Sequence, residues 1–488
     1  MPQPTAAALA YRRIFDSRSA EEIHLLARIK RFLEVWSGDG EFRTRLREAA
    51  EAGGPLDALC AEHGIDSAVD PVDMLPLLDP EHAALALRTG RTAFPQAELW
   101  QRYINEMLRQ RDLIRESGWS GAQNPRFDHW RRRQIARCNG ELGASARSIV
   151  HPAIAFELSE GCSVGCWFCG ISAAKFRGHF PYAPNQALWR GVLQATVEFF
   201  GPAAATGFCY WATDPADNPD YPDFIEDFYH ATGALPQTTT AAPLKNVALT
   251  RRVLALHGRY RTVTNRFSIL NRKLMRRVHD TFTADELMGV ELVIQSRESV
   301  LHKAKAGRAR SRDAAGEPAP VDHSTIACVT GFLVNMPLGR VQLVTPTRAG
   351  ETWPDGYWVL GERRFEDAAG FAAALQDLAD AHMTQDIGPR DVLAARPDLH
   401  IELLEDGFEL VGSAGTRRVT ASFGRQLGEL LAAGSLPVGA VHAELGRAGA
   451  NPFEVARLLD EMFAAGLLCE DPRRPGIHGA HAPERAAA

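Results

Sequence analysis

"GCSVGCWFCG", residues 161–170, sets cysteines at 162, 166 and 169 in a chain that holds eight of them in 488 residues. A closed structural zinc site takes four Cys or His ligands, so three thiolates leave one coordination position for something else. Thiolates select soft metals, and a cluster of four irons and four sulfides offers four iron corners. Three cysteines would hold three corners and leave the fourth iron able to chelate a small molecule; a zinc ion completed by a distant His is the competing reading. The preceding run "AIAFEL" (153–158) reads as a strand, which puts the cysteines on the loop at its carboxyl end.

Working outward, short apolar runs recur at "TGFCYW" (206–211), "ALPQTTT" (234–240), "VTNRFSIL" (263–270), "GVELVIQ" (289–295) and "TIACVTGFLVN" (325–335). Helix patterns separate most of them, such as "NQALWRGVLQATVEFF", with Asn185 placed as its cap, and "NVALTRRVLALH". About six alternations of strand and helix argue for a parallel sheet with crossover helices. The fold class expected is therefore α/β, a partial (β/α)6 TIM barrel over residues 149–345, with the cysteine loop at the mouth where substrates gather.

The flanks read differently. Over 20–140 Ile23, Leu26, Ile29, Leu33 and Trp36 make one apolar stripe, and a helical N-terminal domain is expected over 1–148. The basic run Arg131–Arg133 reads as a solvated helix face or as lining for the site that follows. A helical connector is expected over 346–395. Over 396–475 strands with Gly turns precede three helices, the last opening at Asn451 with Pro452 first and Glu454 completing a capping box. That pattern predicts a small α+β, winged-helix-like module, followed by a disordered tail over 476–488.

Bulk properties narrow the function. With 45% hydrophobic and 23% charged residues and a net charge of −6, the chain is ordinary globular protein and offers no surface for nucleic acid. No apolar run reaches about 18 residues, so no membrane partner is expected. The first residues lack the order of a secretion signal. A cytoplasmic location follows, where thiols stay reduced, and the eight cysteines are ligands, catalysts or buried fillers.

Cys162, Cys166 and Cys169, with aromatic Phe168 before the last, resemble the cluster loop of the radical S-adenosylmethionine (SAM) enzymes. The resemblance covers roughly 150–340 and implies a 4Fe-4S cluster whose open iron binds SAM, and a partial TIM barrel. On reduction SAM is cleaved to methionine and a 5′-deoxyadenosyl radical. The wider phrasing "FELSEGCSVGCWFCGISA", "GFCYWATDPADNPDY" and "STIACVTGFLVNM" is similar, over about 130–350, to the peptide epimerases that mature ribosomally made peptides of the proteusin type (RiPPs), converting L residues to D.

Such chemistry needs a hydrogen-atom donor beyond the cluster, and a thiol suits. Five cysteines remain. Cys60 and Cys469 read as packing residues, Cys138 is ambiguous, and Cys209 and Cys328 fall on predicted strands. A lone strand cysteine is by default buried and inert. The resemblance points to Cys328 as donor, with Cys209 the alternative. The absence of a second CxxC argues against an auxiliary cluster. For SAM the resemblance points to strand ends: Thr213, Asp214 and Asp217 after the second strand, where family members commonly carry Gly-Gly-Glu and this chain does not. Ser268 and Asn271 follow on the fourth, and Gln295 and Arg297 on the fifth. Each of these could equally be a cap or a solvated turn. The basic stretch "KAKAGRARSR" (303–312) reads as a loop able to close over a peptide.

The C-terminal module resembles the leader-recognition domains of ribosomal-peptide maturation, in which a precursor's leader adds as a strand to a sheet edge; its acidic turn "LLEDGFEL" argues against DNA. Residues 32–65 are similar to a leader peptide, or are simply amphipathic helix. The partners implied are a precursor peptide and an electron donor such as a flavodoxin or ferredoxin. Other readings are a radical crosslinking or C-methylating maturase, though the helical N-terminus does not suit a corrin-binding domain, and a non-catalytic metal-stabilised binding module.

Overall fold

The strand ahead of the cysteine loop, β1 (Ile154–Glu157), is buried along its whole length, as an apolar run without alternation should be. The computed structural model describes residues 3–296, 299–300, 305–313 and 325–477. Further strands follow as β2 (Thr239–Thr240), β3 (Asn265–Ile269), β4 (Val290–Ile294) and β5 (Gly331–Asn335). The chain crosses between the earlier ones through the helices Tyr182–Phe200, Tyr221–Thr232, Val247–Tyr260 and Arg272–Thr281. β2, β3 and β4 are parallel neighbours, and β5 lies parallel beside β1. The molecule is mixed α/β, and among the described residues these strands form separate sheets and no closed barrel.

Several expectations need correction. The stretch 206–211 meets β1 at one parallel bridge, Ala155 to Phe208, and of "ALPQTTT" only Thr239 and Thr240 are strand. The last strand starts at Gly331, not 325, and returns beside β1 rather than β4. Asn185 caps nothing: the helix has begun at Tyr182, and the Asn185 amide donates to the Pro181 carbonyl at 2.8 Å. The expected helical connector (346–395) instead holds the last residue of β6 and all of β7. These strands, β6 (Arg340–Pro346) and β7 (Tyr357–Arg364), extend the β1–β5 sheet antiparallel. Their burial alternates along most of "YWVLGERR", a period-two pattern that fits a strand and no helix. The helix that does follow, Ala368–His382, buries Phe371, Leu375 and Leu378 in the same core as β1.

The N-terminal helices from Ala6 to Glu116 enclose their own core of Phe32, Phe42, Leu46, Met74 and Tyr103, which Met288 joins from just before β4, whereas the helix Pro125–Leu142 buries Phe127 and Trp130 in the core of β1. The leader-like stretch 32–65 is amphipathic helix in three pieces, whose apolar residues such as Phe32, Phe42 and Leu46 pack into the N-terminal core. Asp39 fastens the unit by accepting from Arg272 at 2.9 Å.

The basic run is neither a solvated face nor a site lining. In the helix Pro125–Leu142, Arg131 and Arg133 are buried while Arg132 is exposed. Arg133 donates from Nε to Glu470 at 2.9 Å and stacks 3.9 Å over Phe463. One turn on, Arg137 donates to Gln134 at 2.9 Å and Thr345 at 3.2 Å, and lies 3.9 Å over Trp358. Gly466 lets the C-terminal module come this close, since a Cβ there would stand 2.7 Å from the Arg137 nitrogen.

That module is an antiparallel sheet of β8 (His400–Leu403), β9 (Gly407–Gly412) and β10 (Gly415–Thr420). Helices Gly424–Ala433, Val438–Arg447 and Pro452–Ala464 pack on it around Phe408, Leu427, Leu445 and Leu459. Asn451 caps the last helix by accepting from Phe453 N–H at 2.9 Å, the second helical amide, so the expected reciprocal capping box does not form. β10 is exposed at every residue but Val419. Among the described residues no helix is long and apolar enough to cross a membrane.

Candidate active site

Side chains alternate across a strand, and on β3 and β4 this sorts two faces. Phe267, Ile269, Val290, Leu292 and Ile294 pack outward against Met275 and Val278. Arg266, Ser268, Glu291 and Val293 occupy the opposite, inner face, where each keeps some exposure. Register puts Thr239, Arg266 and Glu291 in one layer. Thr239 donates to the Tyr210 hydroxyl at 2.8 Å, and Arg266 Nε donates to Glu291 at 2.8 Å. The other wall is apolar, made by Ala155, Phe208, Trp211 and Leu333.

Above the carboxyl end of β1 stands the cysteine loop. Gly161, at φ 75°, makes the entry turn, where a Cβ would lie 2.2 Å from the Lys175 carbonyl. All three thiols are partly exposed. Cys162 N–H bonds the Ala174 carbonyl at 2.9 Å, and Ala173 N–H donates to the Cys169 Sγ at 3.4 Å. Burial, then neighbouring Cys162 and Cys169, push the Cys166 thiol up to about 12. Burial likewise pushes Cys162 up to about 11, against N–H donors from Val164 and Gly165. Among the described residues no three His, Cys, Asp or Glu side chains form a ready ion cage. The fit to an iron–sulfur cluster therefore rests on three soft thiols at one strand end, with N–H groups directed at sulfur.

The sequence-predicted SAM residues gather on this same side but divide by availability. Asp214 is buried and already accepts from Thr240 Oγ1 at 2.7 Å and from Ala241 and Ala216 N–H at 2.8 and 2.9 Å; burial raises its pKa. Asp217 has no exposed side-chain surface and bonds Ser163 and Lys245. Asn271 caps the helix Arg272–Thr281 by accepting from Leu274 N–H at 2.8 Å. Thr213, Ser268, Gln295 and Phe168 remain partly exposed. Arg297 lies outside the described residues, as do parts of the basic stretch 303–312.

The two candidate donors separate by face. Cys209 is 1% exposed in the outer core with Phe156 and Trp189. Cys328 sits before β5 on an irregular segment. Ile326 packs on Gly170 of the cysteine loop, whereas Thr330 N–H bonds the Pro152 carbonyl at 3.0 Å, ahead of β1. The segment thus runs back down the height of β1, carrying Cys328 between the cysteine loop and the sheet floor. Cys328 keeps exposed surface, yet burial pushes its thiol up to about 12, and Arg266 opposes that shift. Cys138, the ambiguous one, is fully buried in a cluster against which Cys328 packs.

No protein-family model matches the chain. A relative named "Uncharacterized protein y4wI", from Sinorhizobium fredii (strain NBRC 101917 / NGR234), is 45% identical over 470 residues, 94% of this chain and 90% of its own length. The chain belongs to the y4wI family. That name carries no activity, so function is argued from the site.

Sequence reasoning missed Glu157, buried at the end of β1, which accepts from Ala212 N–H at 3.0 Å and from the Asn335 amide and whose pKa burial raises. A lone acid in the apolar "AIAFEL" was the available signal. Tyr210, Arg266 and Glu291 were missed as well; they fall on one face only once β3 and β4 are in register.

Proposed function

We propose that this protein is a radical SAM peptide epimerase that inverts residues of a ribosomally synthesised precursor peptide from L to D. The observation that carries the reading is a three-thiol loop at the carboxyl end of a buried parallel strand, with a fourth thiol, Cys328, on the segment descending from it. The parallel stretches from β1 to β5, with 206–211, are read as an interrupted partial (β/α)6 TIM barrel. Cys162, Cys166 and Cys169 would hold a 4Fe-4S cluster, which together with SAM supplies a 5′-deoxyadenosyl radical able to take a hydrogen atom from a peptide Cα. Thr213, Ser268, Gln295 and Phe168 remain available to SAM.

The chain's own part is the return step. A Cα radical is planar, and a hydrogen atom delivered to its opposite face gives the D residue. Cys328 gives that atom from its S–H, and its high pKa keeps it in the protonated form the transfer requires. It is left as a thiyl radical, which one electron from a flavodoxin- or ferredoxin-like donor and one solvent proton restore. Arg266, whose Nε donates to Glu291 at 2.8 Å, can direct its other N–H groups to a peptide carbonyl. The leader would add along the open edge of β10.

Anaerobic protein reconstituted with iron and sulfide should form 5′-deoxyadenosine from SAM and dithionite. In heavy water with a precursor peptide it should introduce one deuterium per D residue. A colourless protein that never consumes SAM would sink the reading, and crosslinks or added methyl groups would transfer it to another maturase class. A Cys328→Ala variant should cleave SAM but leave the peptide all-L.

A further inference from the structure

The cysteine loop is held from two sides by residues outside its motif. On one side the buried Asp217 carboxylate accepts from Ser163 N–H at 2.8 Å, from the Ser163 hydroxyl, and from Lys245 Nζ. Lys245 also donates to the Ser163 hydroxyl at 3.0 Å and sits 5.8 Å over the Phe176 ring, so it spans both ends of the loop. On the other side Arg308 donates to three carbonyls of the loop. Its N–H reaches Cys169 at 2.9 Å, its Nη1 Cys166 at 3.1 Å, and its Nη2 Ala173. Gly307, at φ 52°, permits this approach, because a Cβ there would stand 2.6 Å from the Cys169 and Gly170 carbonyl groups.

We infer that Asp217 with Lys245, and Arg308 opposite them, are positioning residues that clamp the loop in its liganding shape before any cluster binds. The inference rests on the reading of the three thiols as cluster ligands. A free loop would lose backbone entropy on being fixed, and a clamped one has already lost it. Asp217 thereby acquires a different task from contacting SAM. A carboxylate with no exposed surface cannot meet a ligand in the site, whereas it can hold Ser163, the residue between the first cysteine and the turn.

Two measurements on the full-length protein test this. In the cluster-free protein, hydrogen exchange at the Ser163 and Cys169 amides should quicken at least about tenfold in Asp217→Asn and Arg308→Gln respectively, through local opening. Unchanged exchange overturns the clamp. In anaerobic reconstitution, Lys245→Met and Arg308→Gln should bind several-fold less iron and give a broadened EPR signal on reduction, and Lys245→Arg should restore both. Wild-type loading and spectra in Lys245→Met and Arg308→Gln overturn it as well. Lys245 is 44% exposed, so its variants carry the test if Asp217→Asn fails to fold. If the wild type itself takes up no cluster, the cluster reading falls and the inference that rests on it falls too, with exchange showing whether the loop is clamped for another reason.

Discussion

Two short stretches of odd composition, "CSVGCWFC" (162–169) and "RRRQIAR" (131–137), lie in neighbouring parts of the chain and behave in opposite ways. The first keeps its reactive groups partly exposed at a strand end. The second buries three of its four arginines. Cysteine ligands are meaningful through their mutual spacing, which is local. An arginine takes its meaning from whatever meets it, and for Arg133 that is Glu470, 337 residues away.

The comparison breaks most sharply by replacing one member of each stretch. Cys162→Ala, Cys166→Ala or Cys169→Ala should abolish cluster iron and lower 5′-deoxyadenosine formation by at least about 10³-fold, more than about 4 kcal/mol of barrier, while the urea midpoint barely moves. Arg133→Ala should do the reverse. The Arg133 and Glu470 side chains are 3% and 1% exposed, and removing one partner of a buried pair costs about 3–5 kcal/mol. Urea unfolding should record that loss in a protein that still binds iron. A cysteine variant that unfolds, or an Arg133 variant of full stability, would erase the distinction.

The same contrast, at smaller scale, divides Cys328 from Cys209. Alkylation needs the thiolate, and at pH 8 a thiol of pKa about 12 is about one part in 10⁴ ionised, against roughly a quarter for an unperturbed cysteine. Mapped by mass spectrometry on native cluster-free protein, iodoacetamide should label Cys328 slowly. Its rate should climb about tenfold per pH unit from 8 to 10 with no plateau, because only the unprotonated fraction reacts and that fraction grows until the pKa is reached. Cys209, 1% exposed, should stay unlabelled throughout. Arg266→Gln removes the cation that opposes the upward shift, so Cys328 labelling should slow several-fold further. Equal labelling of the two thiols would remove the reason for preferring Cys328.

What could be read in advance follows the same division. The cysteine loop, the long parallel strands β3 and β4 and the hairpin module were visible because each is written in spacing, period or turn residues within some twenty positions. The stretch 206–211 failed because "TGFCYW" is apolar enough for a strand but pairs with β1 through one residue only. β7 was missed because Pro and Gly before "YWVLGERR" hid a period-two run. The inner layer of Thr239, Arg266 and Glu291 was out of reach, since it exists only through register. Asp214 and Asp217 lie after the second apolar run as read, but their carboxylates are already surrounded by donors. Sequence can place an acid near a strand end but cannot count the donors that will already surround it.

The finest test uses the arginine run against itself. Arg132 stands between two buried neighbours but is exposed, with its guanidinium 5.4 Å from the Trp119 ring centroid. An exposed contact of that kind contributes about 0.5–1 kcal/mol, so Arg132→Ala should lower the unfolding free energy by less than about 1 kcal/mol in urea. Arg131, one residue earlier, is buried and donates to the His151 carbonyl at 2.9 Å just ahead of β1. Its replacement by Ala should cost several times more, about 3 kcal/mol or above, because the carbonyl loses its donor and a large cavity opens. Helix propensity is nearly the same at the two positions, so it predicts equal losses; only the partners differ. If Arg131→Ala and Arg132→Ala destabilise alike, the run acts through its composition and not through the residues it meets across the fold.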